Sequence, residues 1–249
     1  MLCACRAEGE TVIMNAAREP EIAELQGFLN RLGAGVSGAG GPTVRVRGGI
    51  GSPQLVRHRI MPDRIVSATY LAACAAAGGD VELTGAEPEH FSTVLRSLSE
   101  TGCDIITEGA SVRCVSRGNL RAPGPVITGP YPGFPTDAMP LMLSASLKAR
   151  GSSVFVENVF QNRFRFTEEL RRLGAKIHSE GRVAVVTGVD ELYGAPVSAT
   201  DLRGGAALII AALSAEGKTD ILDAGHVGRG YERFDENLAA LGADIAKEG

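Results

Sequence analysis

The end of a helix followed by a glycine and a strand recurs four times along this chain. The glycines are Gly33, Gly102, Gly174 and Gly242, and consecutive ones lie 69, 72 and 68 residues apart. In three of the copies the local sequence is Leu-Gly-Ala. A fixed period marks stacked supersecondary units, and this one is longer than the repeat of an ordinary solenoid. We therefore predict repeated units packed as small domains around pseudo-symmetry axes.

Each copy also has an earlier half, in which an alanine-rich or apolar helix runs into a glycine and a short strand follows. The predicted strands are residues 11–14, 80–83, 153–156 and 219–222. The unit therefore reads helix, strand, helix, strand, which predicts an α/β fold.

The first copy lacks the opening of its first helix. In the other three copies this helix begins at a signature that contains Asp63, Asp137 or Asp201. Residues 1–8 correspond only to the back half of such a helix. We therefore expect this sequence to be the C-terminal portion of a longer protein.

The composition excludes several classes of function. The 249 residues are 44% hydrophobic and 22% charged, as in ordinary globular proteins. A net charge of −4 argues against binding to nucleic acid or to an anionic membrane, because both require basic faces. The alanine-rich stretches are too short to span a bilayer and no leader precedes Met1, so we expect no membrane insertion and a cytoplasmic location.

The cysteines and glycines predict no metal and no cofactor. An odd count of five cysteines, without a C-x-x-C pair or a neighbouring histidine, indicates neither a disulfide framework nor a zinc site. Cys74 and Cys103 lie on apolar faces, where a free thiol acts as a small hydrophobe. The glycine-rich runs match neither the dinucleotide fingerprint nor the P-loop.

A domain boundary is expected near Met61. The glycine-rich run at residues 48–53 breaks the repeat just before it. Residues 1–61 would be the remnant of one domain, and residues 62–249 would be a second domain of three complete units. Residues 122–135 carry five prolines, which predicts a rigid loop leading to a helix that starts at Thr136.

The aspartates at the helix starts allow two interpretations. A carboxylate there can simply cap the helix by accepting hydrogen bonds from free backbone amides, and we favour that interpretation for Asp63. Several such helix ends can also converge on one cleft, where amides and guanidinium groups hold phosphate or carboxylate. We favour the second interpretation for Asp137 and for Asp201 with Arg203. Whether Asp137 binds a hydroxyl or takes its proton stays open at this point.

An arginine stands just before the second helix in three of the units. Arg18 is explained by an exposed ion pair with a nearby glutamate. Arg229 differs, because it lies between two glycines and before Tyr231, in a loop able to close over a site. His226 has no ligand partners in the sequence and is interpreted as structural.

Six segments stand out when they are taken in order along the chain: Asn15–Glu21, Pro62–Arg64, Phe134–Asp137, Glu157–Phe164, Ala199–Arg203 and Arg229–Glu232. Together they resemble one enzyme family, the UDP-N-acetylglucosamine enolpyruvyltransferases of the EPSP synthase superfamily. The resemblance implies an inside-out α/β barrel of two domains, with residues 1–61 belonging to the first and residues 62–249 forming the second.

The resemblance also implies an activity. Members of this family transfer the enolpyruvyl group of phosphoenolpyruvate to the 3-hydroxyl of UDP-N-acetylglucosamine and release phosphate, in the first committed step of peptidoglycan synthesis. Asp137 would hold the sugar hydroxyl and help to deprotonate it, and Val159 would line the UDP-N-acetylglucosamine site. The reacting centre and the phosphoenolpyruvate anion would be surrounded by Arg163, Asp201, Arg203 and Arg229, with Arg229 arriving as the domains close.

The family's N-terminal lysine-asparagine pair and its loop with the general-acid cysteine have no counterpart here. Cys3 and Cys5 fall in a helix of the repeat, and neither is assigned that role. Groups that act as a unit lose activity together, so we predict that this chain alone is inactive. Alternatives are the shikimate-phosphate enolpyruvyltransferase of the same fold, and a non-catalytic protein that binds UDP-sugar or pairs with the missing N-terminal half.

Overall fold

The computed structural model describes residues 1–49, 51 and 55–247, so the break predicted at residues 48–53 lies in part outside the described residues. The described chain divides into two compact units. The first comprises residues 1–62 and 130–132, and the second comprises residues 63–129 and 133–249. The interpretation of residues 1–61 as the remnant of a larger domain stays a prediction.

The elements follow the repeat except after Gly242, where the predicted strand does not form and residues 243–247 have no regular structure. The helices are α1 Leu2–Arg6, α2 Pro20–Arg31, α3 Arg64–Ala77, α4 Ser92–Glu100, α5 Met139–Ala145, α6 Thr167–Arg172, α7 Leu202–Ala212 and α8 Phe234–Ala240. The strands are β1 Glu10–Met14, β2 Gly35–Ser37, β3 Thr43–Arg47, β4 Gly79–Thr84, β5 Asp104–Glu108, β6 Ser111–Ser116, β7 Val126–Ile127, β8 Ser152–Val156, β9 Lys176–Glu180, β10 Val183–Thr187, β11 Val197–Ser198 and β12 Ile221–Leu222. Short 3₁₀ helices cover Pro88–Phe91, Arg163–Phe166 and Ala224–Arg229.

Three of the four copies of the repeat contain a central strand that the pattern did not predict, and the third copy also contains the short strand β7. The strand orders are β1-β3-β2, β4-β6-β5 and β7-β8-β10-β9. The added strand, β3, β6 or β10, runs antiparallel to both of its neighbours and lies between them. Each helix between the outer strands is thus a crossover between two parallel strands that do not pair with each other.

The second unit has helices inside and sheets outside. Helices α3, α5 and α7 contact one another, and every residue of α5 is buried. Their sequences are rich in Ala, Leu and Ile on all sides, which is the pattern of a helix in the centre of a core. The sheets keep one face exposed, as the burial patterns of β5 and β9 show. This arrangement places the N-terminal ends of α5 and α7 at the same end of the core as the loops described below.

The first unit has a small core of its own. Its sheet packs against α2, and the buried hydrophobic residues among those described are Cys5, Leu29, Val36, Val44 and Val46. Among the described residues, no helix is both long and apolar enough to cross a membrane. The described residues also hold no group of three or more His, Cys, Asp or Glu side chains able to bind a metal ion.

Candidate active site

The N-terminus of α7 is capped by Asp201. Its Oδ1 accepts hydrogen bonds from the backbone N–H groups of Arg203 at 3.0 Å and Gly204 at 2.9 Å. Asp63 caps α3 in the same way, through the N–H groups of the second and third helical residues. The cap fixes the first turn of α7 and so fixes the direction in which Arg203 leaves the helix.

Asp137 joins two arginines from two different units of the repeat. Arg163 Nη2 donates to Asp137 Oδ1 at 2.8 Å, and Arg203 Nε donates to Asp137 Oδ2 at 3.2 Å. The aspartate lies before α5 and does not cap it, because α5 begins at Met139 after Ala138. The Asp137 side chain is 38% exposed, whereas those of Arg163 and Arg203 are 16% and 10% exposed. One accessible carboxylate therefore lies on two nearly buried guanidinium groups.

The two guanidinium groups have more donors than the surrounding protein uses. Arg163 Nε and Arg203 Nη1 are buried and have no hydrogen-bond partner among the described residues. A buried donor without an acceptor is costly, so such groups are normally satisfied by a ligand or by water. Two positive charges against one negative charge leave a surplus that suits an anion.

Aromatic rings hold both arginines in place. The Cζ atom of Arg203 lies 5.3 Å from the centroid of the Tyr231 ring, and that of Arg163 lies 5.6 Å from the centroid of Phe160. Burial disfavours the charge of Arg203, but the Tyr231 phenol and the Asp137 carboxylate outweigh burial and raise the pKa of the guanidinium. Tyr231 is fixed in turn by a 2.9 Å hydrogen bond between its hydroxyl and that of Thr69.

A second carboxylate, Glu157, lies behind this cluster. It follows β8 directly and is 1% exposed. Its oxygens accept hydrogen bonds from the hydroxyls of Thr128 and Thr136 and from the N–H groups of Val159 and Phe160. Backbone and hydroxyl donors thus satisfy a buried carboxylate that has no basic partner among the described residues.

The loop after β8 presents an apolar surface. Val159 is 45% exposed and Phe160 is 50% exposed. Asn162 has a left-handed conformation with φ 56°, and the chain then enters the 3₁₀ helix that carries Arg163. One loop therefore supplies exposed apolar side chains at its start and a buried guanidinium at its end.

Arg229 is not part of the Asp137 cluster in this structure. It ends the 3₁₀ helix Ala224–Arg229 and is exposed, with no ion pair or hydrogen bond of its side chain to another described residue. His226 is exposed in the same helix, and Arg18 is exposed in the first unit. The structure thus brings together Asp137, Arg163, Asp201 and Arg203, with Val159 on the adjoining loop.

Sequence reasoning did not assign roles to Glu157, Thr136, Thr128 or Tyr231. The sequence does place Glu157 directly after a strand, and a buried glutamate there needs hydrogen-bond partners. Its four partners lie on three separate segments of the chain, and only the fold brings these together.

Comparison with known proteins supplies the context for this cluster. A family model described as EPSP synthase (3-phosphoshikimate 1-carboxyvinyltransferase) matches residues 1–238. Among curated relatives, UDP-N-acetylglucosamine 1-carboxyvinyltransferase 1 of Symbiobacterium thermophilum is 49% identical, over 99% of this chain and 56% of its own length. The enzyme of the same type from Chelativorans sp. is 47% identical, over 99% of this chain and 57% of its own length.

Solved structures give the same fold. The enolpyruvyl transferase NikO from Streptomyces tendae superposes with a TM-score of 0.85 at 26% identity, covering 98% of this chain and 58% of that protein. EPSP synthase from Acinetobacter baumannii superposes with a TM-score of 0.74 at 18% identity, covering 98% of this chain and 59% of that protein. The predicted inside-out α/β fold is confirmed by these neighbours and by the central packing of α3, α5 and α7. The chain spans a little under three fifths of the length of the curated relatives named here.

Proposed function

This chain belongs to the EPSP synthase family of enolpyruvyltransferases, and from that premise we propose that it carries part of the active site of a UDP-N-acetylglucosamine enolpyruvyltransferase. The reaction transfers the enolpyruvyl group of phosphoenolpyruvate to the 3-hydroxyl of the sugar. A bond forms between C2 of the enolpyruvyl group and the sugar oxygen, the hydroxyl proton is lost, and the bond from C2 to the phosphate oxygen breaks. Inorganic phosphate leaves.

The observation that carries this proposal is the Asp137 cluster. Its accessible carboxylate can hold a sugar hydroxyl and accept its proton, and the two guanidinium groups beside it have unused buried donors. A departing phosphate gains negative charge, and preorganised cationic donors stabilise it in the transition state. The sugar hydroxyl and the anionic substrate would therefore be bound next to each other at the Asp137 cluster.

The proposed roles of the individual residues follow from their positions. Asp137 holds and deprotonates the 3-hydroxyl. Arg163 and Arg203 bind the phosphoenolpyruvate anion, and Asp201 keeps Arg203 in place through the α7 cap. Val159 lines the UDP-N-acetylglucosamine site, which agrees with its exposure on the loop after β8.

Arg229 has a different proposed role, because it lies outside the cluster in this structure. It is exposed and unpaired among the described residues, at the end of a 3₁₀ helix that contacts α7. We assign it to the anionic substrate in a closed state, in which the guanidinium reaches the reacting centre.

A second candidate is the shikimate-phosphate reaction, because the matching family model carries that description. The relatives argue for the sugar nucleotide. Relatives named UDP-N-acetylglucosamine 1-carboxyvinyltransferase include those of Brucella ovis, at 44% identity to this chain, and Symbiobacterium thermophilum, at 49%. The EPSP synthase of Acinetobacter baumannii is 18% identical and supports the fold alone.

The proposed cellular setting follows from the reaction. Synthesis of a UDP-linked peptidoglycan precursor from phosphoenolpyruvate belongs in the cytoplasm of a bacterium, and we place the protein there. The proposed small-molecule partners are UDP-N-acetylglucosamine and phosphoenolpyruvate. The proposed protein partner is a segment that corresponds to the N-terminal part of the relatives, which this chain does not match. The absence of catalytic activity in the 249-residue chain alone stays a prediction.

The proposal is tested in a full-length chimera. This chain replaces the matching 247 residues of the Symbiobacterium thermophilum relative, which it matches at 49% identity. Phosphate release and product mass are measured with phosphoenolpyruvate and either UDP-N-acetylglucosamine or shikimate 3-phosphate. An enolpyruvyl adduct of UDP-N-acetylglucosamine supports the proposal. A folded chimera that forms the adduct only of shikimate 3-phosphate, or of neither acceptor, contradicts it.

The same assay on the 249-residue chain tests the prediction of inactivity. We expect no phosphate release from that chain under conditions where the chimera is active. Turnover by the chain alone would show that the groups in these 249 residues are sufficient for catalysis.

A further inference from the structure

The turn after β8 differs from the corresponding turn in the other copies of the repeat. After β1, β4 and β12 the next residue is Asn15, Gly85 or Asp223, each with a left-handed φ between 51° and 73°. After β8 the next residue is Glu157, which is not among the residues of positive φ. Its side chain makes the turn instead, because Oε1 accepts from the N–H groups two and three residues later at 2.7 and 2.9 Å.

Glu157 also holds the segment that carries Asp137. Its Oε2 accepts from the hydroxyl of Thr136 at 2.7 Å. From the other end of the same loop, Arg163 Nη2 donates to the carbonyl oxygen of Thr136 at 3.3 Å and to Asp137 Oδ1 at 2.8 Å. The loop after β8 therefore contacts this segment at two points. Glu157, at the start of the loop, binds Thr136, and Arg163, at its end, binds both Thr136 and Asp137.

A carboxylate buried to 1% exposure is expensive unless its oxygens are fully satisfied. Here a fourth donor, the hydroxyl of Thr128 at 2.9 Å from Oε1, completes the set. That hydroxyl also accepts from the N–H of Asn158 at 2.9 Å. Fully satisfied polar networks are rigid, because each partner loses a hydrogen bond when another moves. The geometry around Glu157 is therefore held as a unit.

We propose that Glu157 is a positioning residue that fixes Asp137 relative to the apolar loop of Val159 and Phe160. This inference rests on the proposed function, in which Asp137 holds the sugar hydroxyl and Val159 lines the sugar-nucleotide site. Glu157 itself touches neither group of the substrate. It acts through the Thr136 hydroxyl on one side and through two backbone amides on the other, and so sets the distance between hydroxyl binding and nucleotide-sugar binding.

Two substitutions separate position from charge. Glu157→Gln keeps an acceptor for the two amides, and its NH₂ can donate to Thr136 Oγ1, because a hydroxyl can exchange donor and acceptor roles. Glu157→Ala removes all four contacts. Glu180→Ala, at the exposed end of β9, is the matched control for loss of one carboxylate.

In the full-length chimera we expect Glu157→Ala to lower kcat by about 100-fold, the scale of loss caused by a misplacement of about 1 Å. The KM for UDP-N-acetylglucosamine should rise as well, whereas Glu157→Gln should keep kcat within about tenfold of the parent because position is retained. Glu180→Ala should match the parent. The proposal is overturned if Glu157→Ala lowers only the melting temperature and leaves kcat unchanged, or if Glu157→Gln is as slow as Glu157→Ala.

A measurement on the 249-residue chain does not depend on turnover. Backbone amide resonances in ¹H–¹⁵N spectra report on both segments held by Glu157. We expect Glu157→Ala and Thr136→Val each to shift the amides of Asp137, Val159 and Phe160 together, and Glu157→Gln to leave them near their original positions. Shifts confined to the segment next to each substitution would overturn the proposal. If the parent chimera makes no product while these shifts are coupled, the proposed function fails and the positioning of Asp137 by Glu157 stands.

Discussion

At the scale of single residues, Asp137 has two properties that the sequence could not reveal together. Its carboxylate is the shared partner of Arg163 and Arg203, which come from different units of the repeat, and it is still 38% exposed. Because the Asp137 carboxylate is partly exposed, it can accept a hydrogen bond from a substrate hydroxyl while it keeps its ion pairs with Arg163 and Arg203. The side chain is therefore placed for chemistry more than for stability, since a partly exposed ion pair contributes little to folding.

Asp137→Asn tests this difference. We expect the variant to fold, because the side chain is partly exposed, and to lose activity by about 10²- to 10⁴-fold, the usual contribution of a general acid or base. The two guanidinium groups donate to different carboxylate oxygens, and in the amide one of these is replaced by an NH₂ donor. The amide also cannot take up the proton of the hydroxyl. The circular dichroism spectrum of the 249-residue chain and kcat of the chimera are the two measurements. Turnover close to that of the parent would remove Asp137 from the mechanism.

Arg229→Lys tests the arginine that lies outside the cluster. We expect a lower kcat and a higher KM for phosphoenolpyruvate, because an ammonium group cannot reproduce the planar, two-pronged donation of a guanidinium. Arg117→Lys, at another exposed position of the second unit, is the control and should leave both constants unchanged. If Arg229→Lys has the same kinetics as the control, Arg229 is a surface residue with no role in catalysis or substrate binding.

Residue types alone predicted some of these positions and not others. Asp63 is a helix cap as expected, and Asp201 also caps its helix, so its proposed part at the site is exerted through Arg203. The sequence around Tyr231 indicates no role for this residue, yet its ring covers the guanidinium of Arg203. A contact between residues 203 and 231 depends on how α7 packs against the following 3₁₀ helix, which periodicity does not encode.

At the scale of elements, the helices and most of the outer strands were predictable, whereas the central strands were not. The outer strand predicted after Gly242 does not form. The repeat was defined by its helix ends, and these are punctuated by glycines that a sequence reader can find. The added strands β6 and β10 are each separated from the preceding strand by two residues, of which the first is Gly109 or Gly181 with a left-handed φ. A glycine in such a short connection is a hairpin signal. This hairpin signal is present in the sequence, but the longer repeat, which is defined by its helix ends, does not include it.

The close packing of α7 against its neighbours predicts a large effect of Gly205→Ala. A Cβ atom there would lie 2.6 Å from Val227 Cγ2 and 3.1 Å from the Ala199 Cβ. Because overpacking a core costs about 1 to 3 kcal/mol, we expect a loss of that size in the free energy of unfolding, measured with urea. Gly225→Ala is the matched control, since a Cβ there meets nothing within 4 Å. Equal midpoints for the two variants would show that α7 can move away without cost.

The outer sheet of the second repeat predicts a pH dependence. Asp80 on β4 accepts from Arg113 Nε on β6 at 2.7 Å, and that hydrogen bond lowers the pKa of the Asp80 carboxyl. A carboxyl whose pKa is lower in the folded state stabilises the fold above its unfolded pKa, and the effect is lost as the pH falls through the lower folded pKa. Asp80→Asn should therefore melt slightly below the parent at neutral pH. The two melting curves should converge only in acid, at a pH below the ordinary aspartate pKa of about 4. A difference that persists unchanged in acid would exclude this ion pair as the cause.

At the scale of the whole molecule, the repeat predicts the architecture because each unit leaves one apolar helix to bury. Three such helices, α3, α5 and α7, bury each other and leave the sheets outside. The first unit contains only a short α1 at the corresponding place, and its described core has five buried hydrophobic residues. Composition cannot show this inequality, because the apolar residues of the first unit are present but exposed.

That inequality predicts that the two units unfold at different free energies. Met14 on β1 is 78% exposed, so the first unit buries little of the apolar surface that stabilises a domain of its size. In native-state hydrogen exchange of the 249-residue chain, we expect the amides of β3 to exchange much faster than those of α5 and α7, whose residues are almost all buried. Val46→Ala, which creates a cavity in the smaller core, should speed exchange in β1 to β3 and leave α7 unchanged. Equal protection of β3 and α7, or a common response to Val46→Ala, would instead mean that the whole chain unfolds as one cooperative unit.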